Sequence, residues 1–361
     1  MSFIDTLRDS STRTKALIAG GVVAVLVIAA AVGYAATSGD DAKPVAASPS
    51  PTTVPTATPT PAPTAAPTGP VNPLTGLVPS PTGPVIAVKI DDTPNGRPQV
   101  GMDQADVIYI EEAEGGLTRD IGVFASKKPI VGNVRSVRAS DPELLTQYGP
   151  IVLAATGGGG DALPTLDKSI LKSYIQDRGA PLYYRNNNRS APYNVQLNLG
   201  KLSTAISAGG VHDIGWTWSA DASPYAAAAP GTTINTKVGG TAVGFVWDAA
   251  TNEYVRLIDG SKMKAASGNL IGAPNVIVQF CTVTTNTHDI DRAGNPGKYT
   301  QSVGTGKVSV FRNGHRIDGT WSRTSINNGT SLTDASGNQI PLMPGGAIVA
   351  LATVGAPLTS K

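Results

Sequence analysis

Acidic and guanidinium side chains crowd into one stretch of this chain. Between positions 91 and 141 stand Asp91, Asp92, Arg97, Asp106, Glu111, Glu112, Glu114, Arg119, Arg135, Arg138 and Asp141, although only 15% of the 361 residues are charged. Neighbouring carboxyls raise one another's pKa, and an adjacent guanidinium holds a carboxylate ionised; acid/base pairs are made this way. Arginine also grips carboxylate or phosphate at two points. Two chemistries fit. In one, Asp92, Arg97, Glu111, Arg119, Arg135 and Arg138 line a cleft that recognises an anionic or sugar-bearing ligand. In the other, Asp91 and Glu114 are the acid/base pair of a cell-wall hydrolase or transferase, with Arg119 and Arg135 holding substrate charge. A purely internal ion-pair network that orients loops is the bland alternative to both.

Other motifs carry less. Gly157 to Gly160 could form a backbone nest, but no Gly-Lys-Ser/Thr follows, so the run reads as a permissive turn near the site rather than a nucleotide loop. His288-Asp-Ile-Asp291 with Asn295 has oxygen ligands at a spacing unlike a calcium loop, and reads as a solvated β-loop. Three histidines without paired spacing do not suggest zinc, and no Gly-x-Ser-x-Gly elbow occurs. No metal or cofactor is expected. Trp216 and Trp218 alternate as strand residues do and read as core.

The elements that must position the charges are mostly strands. Pro84 to Ile90 is a buried strand ending in Asp91 and Asp92; Val107 to Ile110 and Leu117 to Phe124 follow, with Gly115-Gly116 as the turn. Ser140-Asp-Pro-Glu143 reads as a capped helix start, Ile151 to Ala155 as another buried strand, and Leu166 to Gln176 as a helix. Later come strands Val243 to Trp247 and Tyr254 to Ile258. A hairpin joins Lys307–Phe311 to His315–Trp321 through Asn313-Gly314. Cys281, the one cysteine, lies in an apolar strand and reads as a buried thiol.

Location is written at the N-terminus. Ala16 to Ala36 is uncharged for 21 residues, enough to cross roughly 30 Å of hydrocarbon at about 1.5 Å per residue. Arg8, Arg13 and Lys15 precede it and Asp40 and Asp41 follow, so the tail 1–15 is expected in the cytoplasm and the rest outside. A cleaved signal is the alternative, but the apolar run exceeds the usual length of one. Without a cysteine after that run, lipid attachment is not expected. Residues 37–72 are rich in Pro, Thr and Ala and read as an extended spacer, with a reach on the order of 90 Å at about 3.1 Å per residue. With 28 basic and 26 acidic residues, net charge +2, nothing argues for nucleic acid. Expected partners are a cell-wall polymer or an envelope protein. A composition shift at Ser219 to Gly231 places a boundary between segments 73–218 and 232–361.

The order Ile90-Asp-Asp, Arg97-Pro-Gln, Gln104-Ala-Asp106, Glu114-Gly-Gly-Leu-Thr-Arg119, Val134-Arg-Ser-Val-Arg138 and Ala191-Pro-Tyr-Asn194 resembles the YerB-like family. So do Asn275-Val-Ile-Val-Gln279, Gly304-Thr-Gly306 and Gly319-Thr-Trp321 in the second half. That family comprises bacterial envelope proteins, many lipid-anchored, whose N- and C-terminal domains carry an unknown-function label. The resemblance implies an α+β fold: a layered mixed α/β domain followed by a β-rich one. It also brings Asn194 into the binding set. The family usually has Asn at position 92, an acid at 110 and His at 193. With Tyr193 in that place this chain lacks the best candidate base, since a phenol with pKa near 10 is a poor base at neutral pH. That favours recognition over catalysis.

Overall fold

The computed structural model describes residues 69–291 and 294–361. The expected tail (1–15), membrane span (16–36) and all but the end of the 37–72 spacer lie outside the described residues. Among the described residues no helix is long and apolar enough to cross a membrane. The described residues all belong to one compact unit, Ala65–Lys361. Asn72, the last position of the expected spacer, is already part of this folded body: it is buried, accepts from the Leu74 amide at 2.9 Å and donates to Ser126 at 3.2 Å.

Strands dominate and helices are few. The first half supplies β1 (Ile86–Asp91), β2 (Val107–Glu112), β3 (Thr118–Phe124), β4 (Ile130–Gly132), β5 (Val152–Ala155), β6 (Lys172–Ile175), β7 (Tyr183–Arg185) and β8 (Val195–Asn198). Three short helices, α1 (Asp141–Leu145), α2 (Ala162–Asp167) and α3 (Leu199–Ala205), lie among them. The second half adds β9 (Ala229–Pro230), β10 (Thr233–Val238), β11 (Thr241–Asp248), β12 (Glu253–Ile258), β13 (Ser261–Lys262), β14 (Gly272–Ala273) and β15 (Asn275–Cys281). It ends with β16 (Val283–Ile290), β17 (Pro296–Thr300), β18 (Gly304–Arg312), β19 (His315–Arg323), β20 (Ser331–Asp334), β21 (Ala347–Thr353) and β22 (Leu358–Ser360). The fold is a β-rich mixed α/β one.

The central sheet runs β20-β19-β18-β15-β21-β2-β3-β1-β5-β6, with β9 added against β19. Its midpoint is β21, which pairs in parallel with β15 on one side and with β2 on the other, from Val107↔Ala347 to Ile110↔Ala350. Strands from both sides of Ser219 to Gly231 therefore share one sheet. Positions along β1, β2 and β3 are buried throughout, as strands covered on both faces must be. One face packs Val107, Tyr109, Ile121, Val123 and Val349 against Leu144, Leu145 and Tyr148 at α1 and Ala162 and Leu166 of α2. The other face packs Ile108, Ile110, Phe124 and Ile348 against a six-stranded sheet (β10–β14 with β22) and a three-stranded one (β4, β8, β7). Trp216 and Trp218 meet edge to face at 6.0 Å against the first core, as expected of core residues.

Three local expectations are corrected. The helix expected over Leu166 to Gln176 stops at Asp167, where the Ser169 hydroxyl takes the Leu166 carbonyl at 2.7 Å. Lys172–Ile175 instead pairs in parallel with β5, because the open edge of β5 offers a full ladder that outweighs modest helix propensity. Ser140 makes no capping hydrogen bond; the Asp141 carboxylate turns back to the Arg138 amide at 2.8 Å. His288 to Asp291 is not simply a solvated loop: β16 carries Asp289 into a buried position against the glycine run. The Asn313-Gly314 hairpin forms as expected, with φ of 50° and 75° at its two turn residues.

Candidate functional site

Alternation along three neighbouring strands divides the charged stretch between the two faces of the central sheet. Side chains of a strand point alternately up and down. Val85 and Ala87, Val107 and Tyr109, and Ile121 and Val123 face the helical side. Lys89, Asp91, Glu111 and Arg119 continue those rows. Ile90, Ile110 and Phe124 face the second sheet, and Asp92, Glu112, Thr118 and Asp120 continue theirs. The register sets Asp91 opposite Arg119 and Glu111 opposite Arg119. Two separate clusters result.

The helical-side cluster opens into a cleft of about 600 Å³. Glu114 comes from the β2–β3 turn, Arg119 from β3, Arg135 and Arg138 from the segment before α1, and Arg185 from β7. Gly158 and Gly159 of the glycine run and Asp289 of β16 also line it. A Cβ on Gly160, whose φ is +46°, would collide with the His288 carbonyl, so the glycines permit β16 to lie directly on the turn. β16 pairs antiparallel with β17, and Glu143 at α1 anchors the end of β17, accepting from Tyr299 at 2.8 Å and from the Ser302 and Val303 amides. The cleft is thus built from both halves of the chain.

Its charges are mostly paired. Arg138 grips Glu114 through Nε and Nη2, and although burial alone would raise the Glu114 pKa, that guanidinium holds it below the usual value. Asp91 is fully buried behind the arginines, 2.9 Å from Arg135 Nη1 and 3.8 Å from Arg119 Nη1. A Cβ at Gly96 would come within 2.5 Å of the Asp91 side chain, so only glycine lets that loop cover it. Arg119 is 5% exposed; burial lowers its pKa, Asp91 opposes this, and Arg135 and Arg138 add to it. The Arg135 guanidinium lies 5.2 Å from the Tyr193 ring centroid. Asn194 stands behind the rim and accepts from Arg185 at 2.7 Å. Beneath all of this Lys89, fully buried, bonds Asp141 at 2.8 Å and Glu111, and burial pulls its pKa down to about 8 against the attraction of Asp141.

The opposite-face cluster is closed. Arg256 of β12, 1% exposed, reaches Asp120 at 2.8 Å and Asp92 at 2.5 Å. Burial disfavours its charge, but the two carboxylates win and raise its pKa. Burial pushes Asp120 up to about 7, whereas burial of Asp92 is overcome by Arg256 and Arg97, which lower it. A raised folded pKa stabilises fully below the unfolded value and is lost as pH rises to the folded one. Relative to Asp120→Asn, the natural protein is therefore expected to lose stability from about pH 4 to pH 7, by at most ~1.4 kcal/mol per pH unit. Urea unfolding of both proteins at the two ends of that range checks it; a constant difference would refute it.

Two family models match the chain: the N-terminal domain of the protein of unknown function DUF3048 over residues 74–212, and the DUF3048 C-terminal domain over residues 232–349. The chain belongs to this YerB-like family. Among its relatives, the protein named Putative lipoprotein YerB, from Bacillus subtilis (strain 168), is 26% identical over 275 residues, covering 72% of this chain and 78% of the relative. The crystal structure of YerB from Bacillus subtilis superposes with a TM-score of 0.68 at 20% identity, covering 80% of this chain and 99% of that one. At that identity the likeness speaks for the fold alone.

Within this DUF3048 fold, Glu114, Arg119, Arg135 and Arg138 come to one cleft. Asp91 lies behind it, and Asn194 supports Arg185 at its edge. Asp92 and Glu111 are buried in ion pairs away from it, and Arg97 lines a separate cavity of about 230 Å³ with residues of β10 to β12. Ile110, where relatives are expected to carry an acid, is a fully buried core residue. Sequence reasoning missed Lys89, Asp120, Arg185 and Arg256, and set Asp289 aside as part of a solvated β-loop. A lysine inside the apolar run Ile86–Ile90 was the one available signal, since a mid-strand charge must find buried partners.

Proposed function

We propose that this protein recognises a component of the bacterial envelope, a wall polymer or envelope protein, through the arginine-lined cleft. The observation that carries the reading is the convergence of Arg119, Arg135, Arg138 and Arg185 on one cleft of about 600 Å³. A cleft of that size falls in the range of ligand sites. The uncharged stretch 16–36 serves as a single-pass anchor, the basic flank keeps the N-terminus inside, and the Pro/Thr/Ala spacer carries the folded body outward. The relative named a lipoprotein supports an anchored, extracytoplasmic placement, reached here by a helix in place of a lipid. The acid/base alternative is weaker: Arg138 holds Glu114 ionised, and Asp91 is sealed behind two guanidiniums. A general acid needs a raised pKa and access to its substrate.

Full-length protein is expected to co-sediment with isolated bacterial cell walls and to release no soluble fragments. Arg185→Glu, at an exposed cleft position, should weaken pelleting at least tenfold, and Arg135→Glu should do the same. Unchanged pelleting by both variants would end the recognition reading. Fragment release abolished by Glu114→Gln would favour the hydrolase.

A further inference from the structure

The cleft carries charges of both signs. Arg119 is 5% exposed, and its Nε is buried without an acceptor among the described residues. Its Nη1 is directed at the Thr118 carbonyl (2.9 Å) and Asp91 (3.8 Å), leaving the Nε edge for another acceptor. Arg185 lines the same cleft, and its side chain donates to the neutral Asn194. Asp289 also lines the cleft and is 5% exposed, and among the described residues no side-chain hydrogen bond or ion pair reaches its carboxylate. Burial raises its pKa; Arg138 counters this, while Glu114, Asp161 and Asp141 reinforce it. Asp177, exposed, stands on the same cleft. A carboxylate that lines the cleft without a hydrogen-bond donor favours a cation, and a buried guanidinium edge without an acceptor calls for an anion.

We propose that the cleft takes a short peptide or amino-acid unit carrying both a free carboxylate and a protonated amine, with Arg119 and Arg185 holding the carboxylate and Asp289 and Asp177 the ammonium. This rests on the reading of the cleft as a recognition site and names the chemistry of what it recognises. A neutral sugar leaves both kinds of charge unpaired. Phosphate meets two repelling carboxylates, and a metal ion meets repelling guanidiniums.

Calorimetric titration of the full-length protein tests the assignment with trialanine, its N-acetyl form, its C-terminal amide, inorganic phosphate and a chitin trisaccharide. Trialanine is expected to bind, and each cap to weaken binding at least tenfold. Asp289→Asn should abolish the penalty for acetylation while keeping that for amidation; Arg185→Gln should do the reverse. Such paired losses follow from direct contact and not from general damage to the fold. Capped and free peptides binding alike, phosphate or the trisaccharide binding in place of trialanine, or no trialanine binding up to about 10 mM would each overturn it. Wall pelleting separates the two readings. Walls lost by Arg185→Glu without any charge-dependent peptide binding sink this proposal alone. Peptide binding without pelleting sinks the envelope reading alone.

Discussion

Arg256→Ala is expected to destabilise the fold by about 3–5 kcal/mol, read as a lowered urea midpoint with an unchanged slope. The guanidinium is 1% exposed and is the principal cation for both Asp92 and Asp120. Once it is removed, Asp92 keeps Arg97 at 3.2 Å and the Thr118 hydroxyl at 2.6 Å. Asp120 keeps only the Gln99 amide at 3.0 Å. Asp120 then sits beside Asp92 in an apolar interior without a cation of its own, which costs far more than the pair contributed when whole. The same side chain ties β12 of the six-stranded sheet to β1 and β3 of the central one, so the penalty falls on the seam between layers. Replacing the set together, as Arg256→Met with Asp92→Asn and Asp120→Asn, is expected to recover most of the loss, because neutral groups of similar volume satisfy a buried site nearly as well. If Arg256→Ala unfolds within about 1 kcal/mol of the natural protein, the cluster is not what joins the sheets.

Lys89→Met is the second large effect, also about 3–5 kcal/mol. Lys89 has no solvent exposure and serves two buried acids, Glu111 and Asp141. Methionine fills the space but leaves both carboxylates uncompensated. Asp141 also accepts the Arg138 amide at 2.8 Å, so the loop that holds Arg138 against Glu114 loosens, and wall pelleting should weaken with stability. The pH signature is distinctive. The folded pKa of Lys89 is depressed from 10.5 to about 8, so between those values the unfolded chain binds more protons. Its contribution is present above 10.5 and lost as pH falls to about 8. The stability gap between the natural protein and Lys89→Met should therefore widen as pH rises from 8 towards 10.5. A gap independent of pH over that window would mean that Lys89 is not held in this depressed state.

Much of the fold was legible because its signals are local. The runs that became β1, β3 and β5 are apolar and bounded by turns, and Asn313-Gly314 supplies the two left-handed residues its hairpin requires. Cys281 sits in such a run and is buried, with its thiol pushed up to about 12 by that burial. The Leu166 to Gln176 segment failed for the opposite reason. No local feature states that β5 leaves an edge to be filled, and strand pairing with that edge decided the outcome. The candidate site was half legible. Glu114, Arg119, Arg135 and Arg138 stood out as a dense charged stretch, yet Arg256 lies 136 residues from Asp120 and 164 from Asp92. Asp289 looked like a loop residue until the glycine run admitted its strand.

By itself the order of residues determined that charges would gather near the ends of buried strands, and that an apolar stretch and a Pro-rich segment precede the folded body. Only the tertiary structure decided which charges face one another. Side chains alternate along each strand, so one position separates Asp91, on the cleft side, from Asp92, in the closed cluster with Arg256. Which partner waits on each face depends on β12 and β16 arriving from far along the chain, as β21 does to pair with β2. Such pairings are settled by burial and register over the whole sheet, which no short window of residues contains.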